Sequence, residues 1–380
     1  MDILYENNKL YAIDSTGKKQ LLEKYTKVYP QSEGLFCVGI GSDAITGFGG
    51  KCGYLDNSGN VIIEPVFDYA RPFSEGLALV TIGCDKKGFN GKDGFIDKTG
   101  KLIIKPQYSE ARDFSDGIAA VAIGGDKYGK GCKWGLINKK GEYVVEPHYT
   151  YIGVFTNGCT WVQQGTEYGF INTKGEELTP LAFTKVGDFH EGLSCVKEKN
   201  KGGLYGYIDF TGKYCINPQY ESASDFMNGY AIVKKNKKYG VIDKSGNFVL
   251  EPEFDRIDAW NSFVVLDEED NEVNLKPEWN VVYKKKKAGI IDDKFNIVVE
   301  PQFDSIDNEI HDGMIKVFNH CKDGNIEWDR VGFISEDGNT IIPPIYDDAE
   351  DFDNGKAEVR LGSGKDCRYG CIDKKGNWID

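Results

Sequence analysis

Short apolar runs bounded by glycine or proline recur from one end of the chain to the other, as in VIIEP, LIIKP, YVVEP, FVLEP, IVVEP and TIIPP. A second family of runs, LALVTI, IAAVAI and YAIVKK, follows turn triplets such as SEG, SDG and MNG. Runs of this length between turn residues predict strands. Between the two families lies a stretch with a different rhythm. Phe67, Ala70 and Phe73, or Tyr346, Ala349 and Phe352, place aromatic and small residues three apart. Period three is not the period of a strand, so this stretch is expected to be a 3₁₀-like or irregular turn that plugs its aromatics into the core.

The same parts return in the same order. Aligned on the glycine of an opening phrase, the copies fall at Gly53, Gly94, Gly135, Gly169, Gly206, Gly240, Gly289, Gly332 and Gly370, with Ala12 in the first copy. Spacings run from 34 to 49 residues across ten copies, in the range of stacked repeat architectures. A glycine inside a strand predicts the close approach of a neighbouring backbone or ring. DNSG, DKTG and DKSG are tight hairpin turns with Asp first and Gly fourth. The proline that follows (Pro65, Pro106, Pro147, Pro218, Pro252, Pro301, Pro344) removes a ladder donor, so the second strand is expected to stop there or lie at an edge.

Three strands in some forty residues cannot bury both faces of so small a sheet, so each unit must complete the core of the next. The expected fold is all-β, a tandem array of about ten repeats of 34–49 residues with three short antiparallel strands each, open or spiralling and β-solenoid-like. A β-propeller-like ring or rings is the alternative, although ten copies exceed the typical number of blades. The array is expected to run as one domain over residues 1–380, with a soft break at 263–286, where the unit loses its turn glycine and gains an acidic cluster followed by Lys284 to Lys287.

The segment KWGLINKKGEYVVEPHY at 133–149 resembles the unit of the bacterial WG (KWG) β-repeat family, and the similarity extends over essentially the whole chain. Only Trp134-Gly135 keeps the namesake pair; other copies carry Tyr, Asp, Cys, Ala or Val before the glycine. The resemblance implies an interaction repeat and no particular chemistry.

Composition narrows the function further. Hydrophobic residues make up 40% and aromatic residues 13%, too rich for a disordered chain, and 46 Gly suit strands joined by tight turns. A formal net charge of −14 disfavours nucleic acid and anionic membrane surfaces as partners. MDILYENNKLYAID has no leader pattern and no stretch approaches a membrane span, so a cytoplasmic protein is expected. Ten cysteines without a CxxC pair are expected to be reduced thiols, with Cys37, Cys159 and Cys195 acting as small core residues.

No catalytic set emerges. His148, His190, His311 and His320 occupy polar or turn positions and are expected to be solvated. GIGSDA at 39–44 matches a dinucleotide fingerprint, but ITGFGGKCG after it cannot start a helix. The DxxG turns lack the alternating oxygen ligands of a calcium loop. Neither a cofactor nor a metal is expected. One constellation exceeds this background: enlarged loops in three early copies, IGSDAITGFGGK, IGCDKKGFNGK and IGGDKYGKGCK, present Asp43 and Phe48, Asp85 and Phe89, and Asp126 and Tyr128. Hairpin loops of this length need glycine and a turn-forming Asp for structural reasons alone, yet loops on a rigid scaffold are also where binding resides. The leading expectation is a non-enzymatic scaffold that binds another protein. Carbohydrate or small-ligand binding through exposed aromatics such as Trp161, Trp279 and Trp328 is the alternative, with hydrolase activity behind both.

Overall fold

The computed structural model describes residues 2–379 apart from 8, 14–17, 42–48, 86–87, 127–128, 201, 259–262, 267–271, 277–278, 325, 340 and 363; residues 2–3, 263–266, 272–276 and 364 are described by their backbone alone. Nearly all of its regular structure is antiparallel strand. Tyr69–Ala70, Ala78–Ile82, Lys92–Ile96 and Leu102–Tyr108 form a four-stranded meander in chain order. Glu110–Ala111, Ile118–Gly124, Cys132–Asn138 and Tyr143–Tyr149 repeat the arrangement. The result is an all-β array of repeated antiparallel units, and no described sheet closes into a barrel.

The repeated units have the three strands expected from the apolar runs, and one detail of the expectation changes. The period-three stretch is not a 3₁₀-like turn. Tyr69 and Ala70 pair with Thr81 and Val80 as a two-residue strand, and Arg71 N–H continues the ladder by donating to Leu79 O at 3.0 Å. Bends on either side of this short strand let Phe67, Ala70 and Phe73 all turn inward, where each is at most 5% exposed. The aromatics do enter the core: Phe95 meets Phe114 edge-on with ring centroids 4.8 Å apart, and Phe333 meets Phe352 at the same distance. Such pairs contribute roughly 0.5–1.5 kcal/mol beyond their area burial.

The proline strand lies at the edge of its sheet, one of the two outcomes expected for it, and runs on past the proline. Leu102–Tyr108 runs through Pro106, and Tyr143–Tyr149 through Pro147. Trp134 pairs with Tyr149 and Leu136 with Val145, so Glu146, Pro147 and His148 bulge opposite the single residue Gly135. The bulge demands no ladder donor at the proline. It also brings backbone directly over the glycine: a Cβ on Gly135 would lie 2.4 Å from Val145 O and 2.8 Å from Pro147 N. Gly53, Gly94, Gly206, Gly240, Gly289 and Gly332 face the same carbonyl-and-proline arrangement. The opening glycine and the distant proline are two halves of one device.

Neighbouring units interlock through their turns. Gly100, in the DKTG turn, sits on Ile63 of the preceding unit, and Gly141 sits on Ile104. Ser32 Oγ donates to Phe73 O at 2.6 Å, and Ser74 Oγ to Phe114 O at 2.7 Å. Glu33 accepts from Gly76 N–H at 3.1 Å and Glu75 from Gly117 N–H at 3.0 Å, each one repeat further on. These links recur with the period of the sequence, as expected if one unit finishes the next.

The chain resolves into two compact units, Met1–Gly203 with Tyr207–Tyr214, and Leu204–Gly206 with Cys215–Asp380. In the second, the insertion contributes strands Phe263–Leu266 and Glu272–Lys276, the first of which runs parallel to Glu309–His311. Lys284 to Lys287 form a tight hairpin, with Lys285 and Lys286 at φ 52° and 64°.

Candidate functional site

In the first unit, three successive repeats enclose a cleft of about 460 Å³. Its wall comes from the residues that follow the short strands: Arg71 after Ala70, Arg112 and Asp113 after Ala111, and Gly153 and Val154 after Ile152. These are equivalent positions in consecutive copies, ARPF, ARDF and IGVF. The fold therefore stacks them.

Charge is carried across the repeats. Arg71 Nη1 lies 3.1 Å from Asp113 Oδ2. The Arg112 guanidinium lies over two rings, 5.0 Å from the Trp134 centroid and 4.8 Å from that of Tyr151. Tyr151 in turn stacks on Trp161 at 5.4 Å, and Trp161 Nε1 donates to Asp188 Oδ1 at 2.8 Å. A Cβ on Gly153 would come within 2.6 Å of Trp161 Nε1, so glycine in place of the arginine of the two earlier copies admits the indole. Stacking holds the Arg112 side chain by its faces and leaves its edge for hydrogen bonding.

Two polar atoms of residues that line this cleft are buried without a hydrogen-bond partner, Arg112 Nη1 and Asp113 Oδ1. Among the described residues one further side-chain atom is in that condition, Tyr220 OH. Buried polar groups are overwhelmingly paired in folded proteins, so two orphans on consecutive residues are an exception, and their burial shuts both atoms off from the open cleft. The rim is apolar and exposed, with Val154 at 66% and Tyr151 at 39%.

Near this cleft, Asp93 occupies the position that Trp134 holds in the next copy. Its Oδ1 accepts from Thr81 Oγ1 at 2.7 Å and its Oδ2 from Ala111 N–H at 2.9 Å. Burial pushes this carboxyl up to about 6 against the pull of those hydrogen bonds.

The loops singled out from the sequence have a different construction. Asp85 Oδ1 accepts from Phe89 N–H at 3.0 Å and Oδ2 from Asn90 Nδ2 at 2.9 Å, so its carboxylate closes its own loop. Asp126 does the same through Lys130 N–H at 3.0 Å. Phe89 is half-buried. Asp43, Phe48 and Tyr128 lie outside the described residues. The loops are also tied from below, where Asp68 Oδ2 accepts from Gly83 N–H at 2.6 Å and Cys84 N–H at 2.9 Å.

Other expectations resolve one by one. Trp279 is buried and offers no exposed face for a ligand, while Trp161 and Trp328 are half-buried. His311 is not solvated: it ends the strand Glu309–His311 with its side chain 13% exposed, 3.5 Å from Glu309 and 3.8 Å from Asp351. His148, His190 and His320 are exposed. None of the ten cysteines is in a disulfide, and Cys37, Cys159 and Cys195 are buried. Burial pushes the Cys159 thiol up to about 12, the opposite of an activated nucleophile. Among the described residues no group of three or more His, Cys, Asp or Glu side chains is placed to hold a metal ion. No described helix is long and apolar enough to cross a membrane.

The fold is that of an all-β tandem-repeat protein, with a cleft lined by equivalent positions of adjacent copies. The family model described as WG containing repeat matches residues 53–83, 94–128, 134–165, 168–201, 205–239, 239–262, 289–319 and 332–364. The chain belongs to this WG-repeat family. No curated protein matches it. Among solved structures it is similar to a eukaryotic initiation factor, at 14% identity over 87% of this chain and 92% of that one, with a TM-score of 0.33. An uncharacterized protein from Listeria monocytogenes EGD-e is similar at 12% identity over 65% and 88% of the two chains, with a TM-score of 0.31. Kluyvelomyces marxianus Hsv2 is similar at 10% identity over 68% and 94%, with a TM-score of 0.28.

Arg71, Arg112 and Asp113 are not among the residues that the sequence singled out. Their signal was the ARPF and ARDF of consecutive copies, a charged residue held between a buried alanine and a buried aromatic two positions on. What brings them together depends on distances between repeats.

Proposed function

We propose that this chain is a non-enzymatic repeat scaffold that holds another protein, acts in the cytoplasm, and docks its partner at the cleft lined by Arg71, Arg112, Asp113 and Val154. The single observation that carries this reading is a cleft of about 460 Å³ shared by three successive repeats beneath an exposed apolar rim, Val154 and Tyr151. The Arg71–Asp113 ion pair and the Arg112 guanidinium form the polar centre of the cleft. The apolar rim supplies area around that polar centre, as in protein interfaces where a few central residues dominate the energy. Supporting the non-enzymatic reading, the cleft holds no nucleophile with a base beside it, Arg71 and Asp113 are engaged with one another, and Arg112 lies on aromatic faces.

The test is photo-cross-linking in the native cell with a photoreactive amino acid at Val154, and at exposed Lys174 as the comparison. A discrete adduct at Val154, absent at Lys174 and lost when Arg112→Ala is added, is the expected result. Equal adducts at both positions, or none at Val154, would overturn the assignment of the cleft.

A further inference from the structure

In the second compact unit two consecutive hairpins end in lysines. One carries Lys234, Lys235, Lys237 and Lys238 around Asn236, and the other carries Lys284 to Lys287. The register pairs Lys235 with Lys238 and Lys284 with Lys287, so each hairpin closes with a two-residue turn. Both central residues of each turn are left-handed, Asn236 and Lys237 at φ 52° and 64°, and Lys285 and Lys286 at the same two angles. Such a turn favours Asn followed by Gly, and in an earlier copy the place of Lys285 is held by Gly165 at φ 63°. Lysine gains nothing locally from a left-handed backbone, so three lysines at these four places are a conformational outlier whose reason lies in their charge.

The two tips meet. Asp255 pairs with Lys238 Nζ through Oδ1 and accepts from Lys285 N–H through Oδ2 at 2.6 Å, which sets both hairpins against one carboxylate. Three lysines are neutralised at the base of the tips: Lys238 by Asp255, Lys284 by Glu253 at 2.8 Å, and Lys287 by Asp304 at 2.8 Å. Lys234 and Lys235 lie over rings instead, 4.9 Å from the Tyr239 centroid and 5.7 Å from that of Phe248. Lys237, Lys285 and Lys286 are exposed, and among the described residues none of the three forms an ion pair. A chain of net charge −14 thus carries, on two adjoining tips, lysines left outside any ion pair.

We infer that this pair of tips binds a short acidic segment of a partner protein, rich in Asp and Glu, whose carboxylates pair with Lys237, Lys285 and Lys286. The site is independent of the cleft, whose residues belong to the first unit. Three considerations select this occupant over other anions. The amides of the turns are already filled, since Glu221 accepts from Lys237 N–H at 3.2 Å as Asp255 does from Lys285 N–H, so a phosphate finds no backbone recess there. Lys234 and Lys235 cover the rings of Tyr239, Tyr220 and Phe248, which removes the platform on which a nucleic-acid base would stack. Charge acts over only about 8 Å at physiological salt, so a short segment feels the tips alone, whereas a long polyanion or an anionic membrane surface also meets the acids of the remaining chain.

The probe is a fluorescein-labelled, capped octapeptide with six Glu, beside its Gln counterpart, and binding to the full chain is followed by fluorescence anisotropy. The Glu peptide is expected to bind saturably at about 50 mM salt, with affinity lower by about tenfold or more at about 200 mM, and the Gln peptide not to bind. Lys237→Gly with Lys285→Asn and Lys286→Gly gives both turns the sequence they favour, so the urea midpoint is expected to hold or rise while affinity for the Glu peptide falls about tenfold or more. Affinity lost without loss of stability cannot come from misfolding. Lys105→Gln, Lys140→Gln and Lys174→Gln, at exposed positions, make the same change in net charge and are expected to leave binding unaltered. Equal losses in the two triple variants would reduce the effect to net charge and overturn the site. Tighter binding of a single-stranded oligonucleotide of equal charge, or of phosphatidylserine vesicles, would overturn the acidic segment as occupant. Salt-sensitive self-association of the chain that the tip variant abolishes would overturn it too, by assigning the tips to a second copy. If the Glu peptide shows no saturable binding, the inference falls outright.

Discussion

Asn138 donates from Nδ2 to Glu142 Oε2 across 2.8 Å, whereas in another copy Asn247 donates from Nδ2 to Asp243 Oδ2 across 3.1 Å. The two hairpins are the same turn with donor and acceptor exchanged. Asn172 with Glu176 follows the first pattern, and Asn60 with Asp56 the second. In every one of these turns the first side chain also accepts from the backbone N–H groups two and four residues on. Across the closing pair, these four turns set one amide against one acid in either order, where the turns at Asp97 and Asp209 end on Lys101 and Lys213.

Asn138→Asp alone sets two carboxylates face to face and is expected to destabilise the chain by about 1 kcal/mol, the scale of one lost hydrogen bond. The double variant Asn138→Asp, Glu142→Asn restores the pair in the opposite order. A double-mutant cycle in urea should therefore recover most of the loss, and strict additivity of the two changes would contradict the exchange.

Glycine serves two different purposes in this chain, and substitution separates them. Gly135 lies under the bulge of Glu146 to His148, with a Cβ blocked at 2.4 Å by Val145 O. Gly135→Ala is expected to cost more than about 4 kcal/mol, because both contacts are backbone and cannot move aside. Gly117, at φ 81° in a hairpin turn, has nothing within 4 Å of an added Cβ. Gly117→Asn should cost only about 1–2 kcal/mol, the left-handed strain without the clash. Urea midpoints of the two variants measure the contrast.

Asp93 makes stability depend on pH with a definite sign. Burial raises its carboxyl in the folded chain from the ordinary 3.8 to about 6. A raised acid binds its proton more tightly when folded, so its contribution is fully present below about 3.8 and is lost as pH rises through about 6. Relative to Asp93→Asn, the wild type should lose about 2–3 kcal/mol between pH 4 and pH 7, since each tenfold gain in proton affinity on folding corresponds to roughly 1.4 kcal/mol. Parallel stability curves for the two proteins would show that the carboxyl is not held in this way.

The enlarged loops remain a second place to look for a partner. Asp85→Ala with Asp126→Ala removes the acceptors that Phe89, Asn90 and Lys130 use, so amide exchange at Phe89 and Lys130 should accelerate about tenfold or more. If the cleft is the docking site, the Val154 cross-link survives this double change. Its loss would return the binding role to the loops.

Much of this molecule was legible from its residues. Apolar run length, DxxG turns and the recurring glycine are local signals with a short physical range, and together they determined an all-β repeat array of ten copies. The need for neighbouring units to complete one core followed from the size of each copy, and the aromatics at period three went inward as their spacing and hydrophobicity required. The proline strand lies at its sheet's edge, as one of the two expected outcomes had it, and one local inference failed, the irregular turn after it. The bulge over Gly135 lets the proline strand continue, and the bend that follows converts a turn into a short strand. Only the tertiary structure decided where function could reside. Arg71 and Arg112, like Asp113 and Val154, stand in equivalent places some forty residues apart in sequence, and stacking brings all four to one wall. Whether a buried atom has a partner is a property of the space between repeats, and no pattern along a single copy encodes it.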